Sequence, residues 1–210
     1  MKAPLIITIS RQLGAGGSVI GQQLARRLKI NFIDRQIISE TAKELSVPES
    51  EIESRDEKIQ SIWKSMLQSG RFAPDVYIPA FVKYPPTDYQ LFSTESEIIR
   101  KIAKENSAVI IGRCGFHILS DHPGCVKLFL HADLNSRLKR IQEEHSVTRE
   151  EAEKMIEESD RKRAHYIHSF TKLNWADAGL YDLSVDTGRY GIENSIELIL
   201  YYLSKTDNKH

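Results

Sequence analysis

The chain has 210 residues, enough for one compact domain that carries a smaller inserted subdomain. Its 29 Lys and Arg residues balance its 29 Asp and Glu residues, so no net field attracts nucleic acid or an anionic membrane surface. A hydrophobic share of 40% with only 11 Gly and 7 Pro excludes a low-complexity or mostly disordered chain. The longest apolar run, residues 3–9, is far shorter than the roughly 20 residues that span a bilayer. We therefore expect a cytoplasmic protein with neither a membrane nor a nucleic-acid partner.

Short apolar runs alternate with helical periods, a pattern typical of repeated β-α units around a parallel sheet. The predicted strands are residues 5–9, 31–33, 108–111, 126–130 and 181–185. The predicted helices are residues 18–28, 93–105, 133–144, 148–169 and 192–203. Because a helical crossover between neighbouring strands makes them parallel, we predict an α/β fold with a five-stranded parallel sheet flanked by helices.

Residues 34–107 separate two consecutive predicted strands, which is far more chain than a crossover needs. Helical patterns at residues 36–45 and 49–68 are followed by a stretch rich in proline and aromatic residues at 72–86. We predict that this segment forms a helical cap over one end of the sheet. Residues 77–92 offer an aromatic contact surface that is compatible with a homodimer.

The most informative segment is a strand, a glycine loop and a helix within residues 7–28. A loop of this kind lets successive backbone N–H groups converge without Cβ obstruction, and the helix adds its positive end. A di- or triphosphate is the expected ligand. The residues predicted to hold it are Gly14, Ala15, Gly16, Gly17 and Ser18.

Two known glycine motifs compete for this loop. When Gly16 and Ser18 are aligned with the phosphate-loop motif G-x-x-x-x-G-K-[ST], Arg11 falls on the first glycine and Gly17 on the lysine. The dinucleotide motif G-x-G-x-x-G fits the first two glycines but fails at the third, although Asp34 lies where a ribose-binding acid is expected. A strand-to-helix turn with no ligand is the third interpretation. The number of glycines favours phosphate binding.

Three further groups of polar residues follow predicted strands or lie on predicted helices. Asp34 follows the second strand, where it could hold a substrate hydroxyl or a metal-bound water or cap the next helix. Arg113 follows the third strand and can bind a phosphate through two parallel hydrogen bonds or pair with a surface acid. Arg137 and Arg140 share one helix face, either to grip a polyphosphate or to lie in solvent.

A charged helical stretch places Asp160 and Arg163 one turn apart. The nearby His165 and His168 are not part of a Cys or His quartet, which argues against a zinc site. The two cysteines of the chain fit no metal-ligand spacing, and we predict that both are free thiols.

Taken together, these segments resemble the cytidylate kinase-like family, relatives of bacterial cytidylate kinase among the nucleoside monophosphate kinases. The resemblance runs nearly end to end. The matching segments are residues 7–11 with 14–18, 32–35, 110–114, 127–130 with Arg137 and Arg140, 160–163, and 181–183.

The resemblance implies a fold, a domain organisation and two cofactors. The fold would be a P-loop NTPase-type three-layer sandwich with a helical acceptor-binding insertion and a helical lid. Residues 1–35 and 93–210 would form the kinase core, with the lid at about 143–170, and residues 36–92 would form the insertion. ATP and Mg²⁺ would be the cofactors, and small nucleotides would be the substrates.

The resemblance also implies site roles. The glycine loop would hold the donor phosphates, with Ser18 on the metal, and Arg113, Asp160 and Arg163 would hold the acceptor. Arg137 and Arg140 would border the lid and neutralise charge, while Asp34 would orient the acceptor or the metal-bound water.

Gly17 departs from the family pattern, because a cytidylate kinase has lysine at that position. Losing a preorganised cation costs on the order of 10²–10³ in rate if nothing replaces it. Arg11, at the mouth of the loop, is the predicted replacement. The sequence thus predicts an ATP-dependent phosphotransferase acting on a nucleoside monophosphate or a similar small acceptor. The alternative is a nucleotide-binding sensor or partner-binding module that has lost catalysis.

Overall fold

The computed structural model describes residues 3–34 and 88–206. The five strands in these ranges are β1 (Ile6–Arg11), β2 (Asn31–Ile33), β3 (Ala108–Ile111), β4 (Cys125–His131) and β5 (Leu183–Asp186). The helices in the same ranges are α1 (Gly17–Leu28), α2 (Asp88–Glu105), α3 (Gly115–Ile118), α4 (Leu134–His145), α5 (Arg149–Thr171) and α6 (Thr187–Thr206), with a short 3-10 turn at Ala178–Leu180.

The strands form one parallel sheet in the order β2-β3-β1-β4-β5. Strand β1 is central, and its Ile9 is paired with Ile111 of β3 and Leu128 of β4. Helices cover both sides of the sheet, so the predicted parallel three-layer architecture is confirmed. The carboxyl ends of β1 and β3 are neighbours, and the loops that follow them meet at the same edge.

The main core lies between the sheet and helices α1 and α6. Isoleucine, leucine and valine dominate it, because strands covered on both faces need apolar side chains on both. Its fully buried members include Ile7, Ile9, Ile20, Leu24, Val109, Ile111, Leu128, Leu130, Ile196 and Ile199. On the other face of β1, Thr8 packs so closely on α3 that a Cβ at Gly115 would lie 3.2 Å from its methyl carbon.

The observed elements depart from the predicted ones at a few places. Strand β5 begins at Leu183, two residues later than predicted, because the 3-10 turn and its exit take up the preceding residues. Helix α6 begins with a single turn at Thr187 and is interrupted at Gly191, whose φ of 76° and ψ of 168° are not helical. The single-turn helix α3 was not predicted, because four residues carry no periodic signal.

The chain divides into two compact units, residues 1–35 with 99–210 and residues 36–98. The second unit is described only for residues 88–98, which belong to helix α2. The predicted cap helices and the proline-rich stretch lie outside the described residues, as does nearly all of the predicted acceptor-binding insertion. Within the described ranges, no helix combines the length and apolar character that crossing a membrane requires.

Candidate active site

The glycine loop joins the end of β1 to the start of α1. Gly14 and Gly16 adopt positive φ angles of 78° and 74°, which favour glycine. Gly16 is the N-cap of α1 and has no side chain with which to cap this end of the helix. The first amides of a helix have no intrahelical acceptor and lie at its positive end, so this loop is suited to bind an anion.

Close packing fixes the backbone of the loop. A Cβ at Gly14 would lie 2.8 Å from the carbonyl oxygen of Arg137, and a Cβ at Gly16 would overlap the side chain of Ile192. A larger residue at position 14 would push the loop away from the backbone of helix α4, whereas one at position 16 would require the end of the Ile192 side chain to move. Gly14 is therefore favoured by backbone contact as well as by φ, and Gly16 chiefly by φ.

Arg137 and Asp160 hold the tip of the loop through the two backbone polar groups of Leu13. The Nε of Arg137 donates to the carbonyl of Leu13 at 2.7 Å, and the Leu13 N–H donates to Asp160 Oδ1 at 3.0 Å. Arg137 is buried, with 6% of the residue exposed, and its guanidinium forms an ion pair with Asp160. Arg163 completes the group by donating to Asp160 Oδ1 at 3.2 Å. We call these four residues the loop clamp.

Arg140 holds the next part of the loop. It donates to the carbonyl of Gly14 at 3.1 Å and to the hydroxyl and carbonyl oxygens of Thr187 at 3.0 and 2.6 Å. The hydroxyl of Thr187 in turn donates to the carbonyl of Ala15 at 2.9 Å. Burial lowers the pKa of Arg140, and two nearby carboxylates act in the opposite direction. Arg140 thus ties the loop to the start of α6.

Helices α4 and α5 form a hairpin around Ser146, whose φ is 54°. The predicted lid at 143–170 covers this turn and nearly all of α5. Leu13 packs on the small apolar core of the hairpin, which consists of Leu138, Ile141, Ala152 and Ile156. The loop tip is therefore fixed to the hairpin by apolar contact as well as by the loop clamp.

The turn at the start of α5 is a capping box. The Thr148 hydroxyl accepts from the N–H of Glu151, whose carboxylate accepts from the N–H of Thr148. The backbone hydrogen bond from Thr148, followed by that from its hydroxyl, holds the pKa of Glu151 below its usual range.

A cavity of about 460 Å³ lies beside the loop, at the carboxyl ends of β1 and β3 and against α5. Four cationic side chains and one carboxylate line it, together with two aromatic rings. These are Arg11, Arg113, Lys162, Arg163, Glu158, Tyr166 and Trp175. Lys162 and Glu158 form an exposed ion pair of 2.7 Å, whereas the side chain of Arg163 is only 15% exposed. The cavity is suited to a small anionic ligand with a planar group.

A strained turn brings Arg113 to this cavity. Gly112, Arg113 and Cys114 all adopt left-handed conformations, with φ of 74°, 49° and 55°. A residue other than glycine in this region costs roughly 1–2 kcal/mol, so the turn is maintained by its surroundings. The Arg113 guanidinium carbon lies 5.1 Å from the centroid of the Tyr166 ring, which packs its charge on an aromatic face.

The side chain of Arg11 runs between the loop and the cavity. A Cβ at Gly17 would lie 2.6 Å from the Cγ of Arg11, and a Cβ at Gly112 would lie 2.7 Å from its Nη1. The arginine therefore starts against the first turn of α1 and ends against the turn after β3. Its guanidinium lies at the boundary between the two parts of the site.

The remaining predicted site residues are placed as follows. Ser18 is exposed in the first turn of α1. Asp34 follows β2, the edge strand, and lies outside the residues that line the cavity in the described part of the chain. Arg113 and Arg163 line the cavity, whereas Asp160, Arg137 and Arg140 contact the loop.

Sequence reasoning missed two aromatic residues and a lysine in the cavity wall. Lys162 and Tyr166 are one helical turn apart on α5, next to the predicted Arg163, so the face of that helix was an available signal. Trp175 lies in an irregular segment, where no sequence pattern pointed to the cavity. The hydroxyl of Tyr181 donates to its carbonyl at 2.7 Å, and burial raises the pKa of Tyr181 to about 12.

Comparisons with known proteins agree with this geometry. A model of the cytidylate kinase-like family matches residues 6–189. The chain is 23% identical over 197 residues to a cytidylate kinase of Methanothrix thermoacetophila, covering 93% of this chain and 96% of that protein. An uncharacterized protein from Eubacterium ventriosum superposes with a TM-score of 0.71 at 23% identity, covering 95% of this chain and 98% of that one.

Shikimate kinase from Bacteroides thetaiotaomicron superposes with a TM-score of 0.52 at 15% identity, again covering 95% of this chain and 98% of that one. This likeness is one of fold, the three-layer sandwich described above. The family match takes in every described strand, the glycine loop and the helix hairpin. The chain therefore belongs to the cytidylate kinase-like family.

Proposed function

We propose that this protein is an ATP-dependent phosphotransferase whose acceptor is a small anion, with nucleoside monophosphates as the first candidates. The observation that carries the proposal is the contact between an uncapped glycine loop and a cavity lined by four cationic side chains. Phosphoryl transfer requires mainly positioning and charge neutralisation, and this arrangement offers both.

The cavity would hold the acceptor. Arg113 and Arg163 offer guanidinium groups that can bind a phosphate or carboxylate by two parallel hydrogen bonds. Tyr166 and Trp175 offer flat apolar surfaces on which a base or ring can pack. These features suit a nucleoside monophosphate, whose reacting oxygen is already anionic and needs no strong general base.

The loop would hold the donor triphosphate through its backbone amides. Ser18 presents an exposed hydroxyl at the same end of α1, while no cluster of three His, Cys, Asp or Glu side chains occurs among residues 3–34 and 88–206. A single hydroxyl fits Mg²⁺, which usually keeps waters and phosphate oxygens as its other ligands. When bound there, the ion would neutralise charge on the donor phosphates. Asp34 stays a predicted contact to the acceptor or to a metal-bound water.

We assign Arg137, Arg140 and Asp160 a positioning role, because their contacts are made to the loop itself. By holding the carbonyls of Leu13 and Gly14 and the N–H of Leu13, they keep the neighbouring amides directed at the donor. Direct contact of these three residues with substrate stays a prediction. Arg11 is the predicted catalytic cation, since its guanidinium lies where the donor loop meets the acceptor cavity.

A screen of ADP formation from ATP and Mg²⁺ over nucleoside mono- and diphosphates, shikimate-like alcohols and sugars tests this function. We expect turnover that depends on an anionic acceptor. Arg113→Gln should then raise the KM for the acceptor about tenfold or more and leave the KM for ATP within about twofold. Lys139→Gln is the matched control, because it removes the same charge from an exposed side chain of α4. Equal effects of the two variants would contradict the assignment of the cavity.

Gly17 supports a second candidate, a nucleotide-binding sensor that has lost catalysis. ATP binding, measured by calorimetry, with no product from any acceptor in the screen would favour it. The acceptor screen, combined with the measurement of ATP binding, therefore distinguishes the kinase from the sensor.

A further inference from the structure

We infer that Arg11 and Gly17 have exchanged roles relative to the standard phosphate loop, so that Gly17 makes room for a cation that Arg11 supplies. This inference rests on the proposed binding of a triphosphate at the loop. In the motif G-x-x-x-x-G-K-[ST], the first position is glycine and the seventh is lysine. In this chain the first position is Arg11 and the seventh is Gly17. Compared with the motif, the glycine and the cation have therefore changed places.

The two positions touch in the structure, which gives the exchange a physical cause. The three atoms nearest to a Cβ built on Gly17 all belong to Arg11, namely Cγ at 2.6 Å, Cβ at 2.9 Å and Cδ at 3.4 Å. Carbon atoms pack at about 3.5–4.0 Å, so the first two distances exclude a side chain at position 17 while Arg11 keeps its place. Gly17 is thus required by Arg11 rather than by its own backbone, which is ordinary helix and has no positive φ.

The path of the side chain brings its charge to the site. The side chain of Arg11 extends from Gly17 to Gly112. Because Gly112 has no Cβ, it leaves room for the Nη1 atom of Arg11. Gly112 directly precedes Arg113, and both line the cavity together with Arg11. The cation is therefore present at the boundary of loop and cavity, although it comes from the end of β1 rather than from the start of α1.

A loop that has lost its cation and a loop that takes its cation from Arg11 would respond differently to Gly17→Lys. If Gly17 were only a lost lysine, Gly17→Lys alone would repair the site. If Arg11 fills the space, Gly17→Lys forces the two side chains apart and damages it. Repair then requires the double variant Arg11→Gly/Gly17→Lys, whose loop has the standard motif.

The experiment measures the affinity of inorganic triphosphate and of ATP by calorimetry for wild type, Arg11→Gly, Gly17→Lys and the double variant. We expect each single change to weaken binding about tenfold or more, because a charge-assisted contact is lost or misplaced. The double variant should recover to within about threefold of wild type. Arg11→Lys should keep more affinity than Arg11→Gly, and only loss of the Arg11 charge should reduce the salt dependence of binding.

Gly21→Ala is the matched control on the same helix. The three atoms nearest to a Cβ built on Gly21 belong to Ile111, at 2.7 Å, Phe32 and Ile9 rather than to Arg11. This substitution should therefore lower the Tm equally with and without Arg11→Gly. Tighter binding by Gly17→Lys alone, or unchanged binding by Arg11→Gly, would overturn the inference. If wild type binds neither ligand, the proposed function and the charge role fail together. The Tm values of the four proteins then decide the steric pairing, which is refuted if the two substitutions act additively.

Discussion

Replacing Asp160 by asparagine tests whether the loop clamp determines the stability of the site. The Asp160 carboxylate accepts from the Leu13 N–H and from the guanidinium groups of Arg137 and Arg163. An asparagine of the same shape can still accept from Leu13, but its NH₂ group would face the donors of Arg137. The substitution therefore leaves a buried cation with one fewer acceptor and brings donor against donor.

The expected loss follows from the burial of the pair. Breaking a fully buried ion pair costs about 3–5 kcal/mol. The side chains of Arg137 and Asp160 are 8% and 19% exposed, and Arg137 keeps the Leu13 carbonyl, so we expect a smaller loss of about 2–3 kcal/mol. For a chain of this size, such a loss lowers the Tm by about 5–10 °C.

Thermal unfolding monitored by circular dichroism measures the change. Glu143→Gln is the control, because it breaks an exposed i,i+4 pair with Lys139 on the neighbouring helix and should alter the Tm by less than about 2 °C. In a double-mutant cycle, Arg137→Met should cost less in the Asp160→Asn protein than in wild type. An Asp160→Asn protein with the Tm of the control would refute the clamp.

Three further predictions concern the glycine loop, the helix hairpin and a cysteine at the opposite edge of the sheet. Gly14→Ala should weaken ATP binding about tenfold or more in calorimetry, since its φ is 78° and its Cβ would meet a backbone oxygen of α4 at 2.8 Å. Thr148→Ala should cost about 1 kcal/mol in thermal unfolding. The lowered pKa of Glu151 makes the stabilisation by this capping box present above the usual glutamate pKa and lost as the pH falls through the folded value, a loss that the variant should lack. Burial raises the pKa of Cys125 to about 11 from 9.0, so the native thiol should react with iodoacetamide at pH 8 about a hundredfold more slowly than the unfolded chain.

The sheet could be predicted because its inner strands β1 and β3 are short apolar runs with both faces buried. Residues 31–33 and 108–111 were predicted with their observed bounds, and parallel order followed from the helices between strands. The glycine loop could also be predicted, since clustered glycines between a strand and a helix have few other uses. The predicted insertion rests on an excess of chain and on local helical and proline patterns, and nearly all of it lies outside the described residues.

Roles within the site were harder to predict, because a side chain's partner is set by tertiary contact. The spacing of Arg137 and Arg140 showed that they share a helix face but not that this face meets the loop. The residue that fixes the Leu13 N–H, Asp160, is 147 positions away in the sequence. A cation on a helix looks the same whether it faces a phosphate or a backbone carbonyl. Only the fold distinguishes a binding residue from a positioning one.

The role of Gly17 also depends on a tertiary contact that the sequence does not show. A motif compares one position at a time, so glycine in place of lysine counts as a loss of charge. The structure shows that positions 11 and 17 compete for one volume, because the Cγ of Arg11 lies 2.6 Å from where a Cβ of residue 17 would be. Under that constraint, a long cation at one position requires glycine at the other, and the charge of the loop can be conserved while the motif is not. The pair of positions, rather than either residue alone, is what the chemistry of the loop depends on.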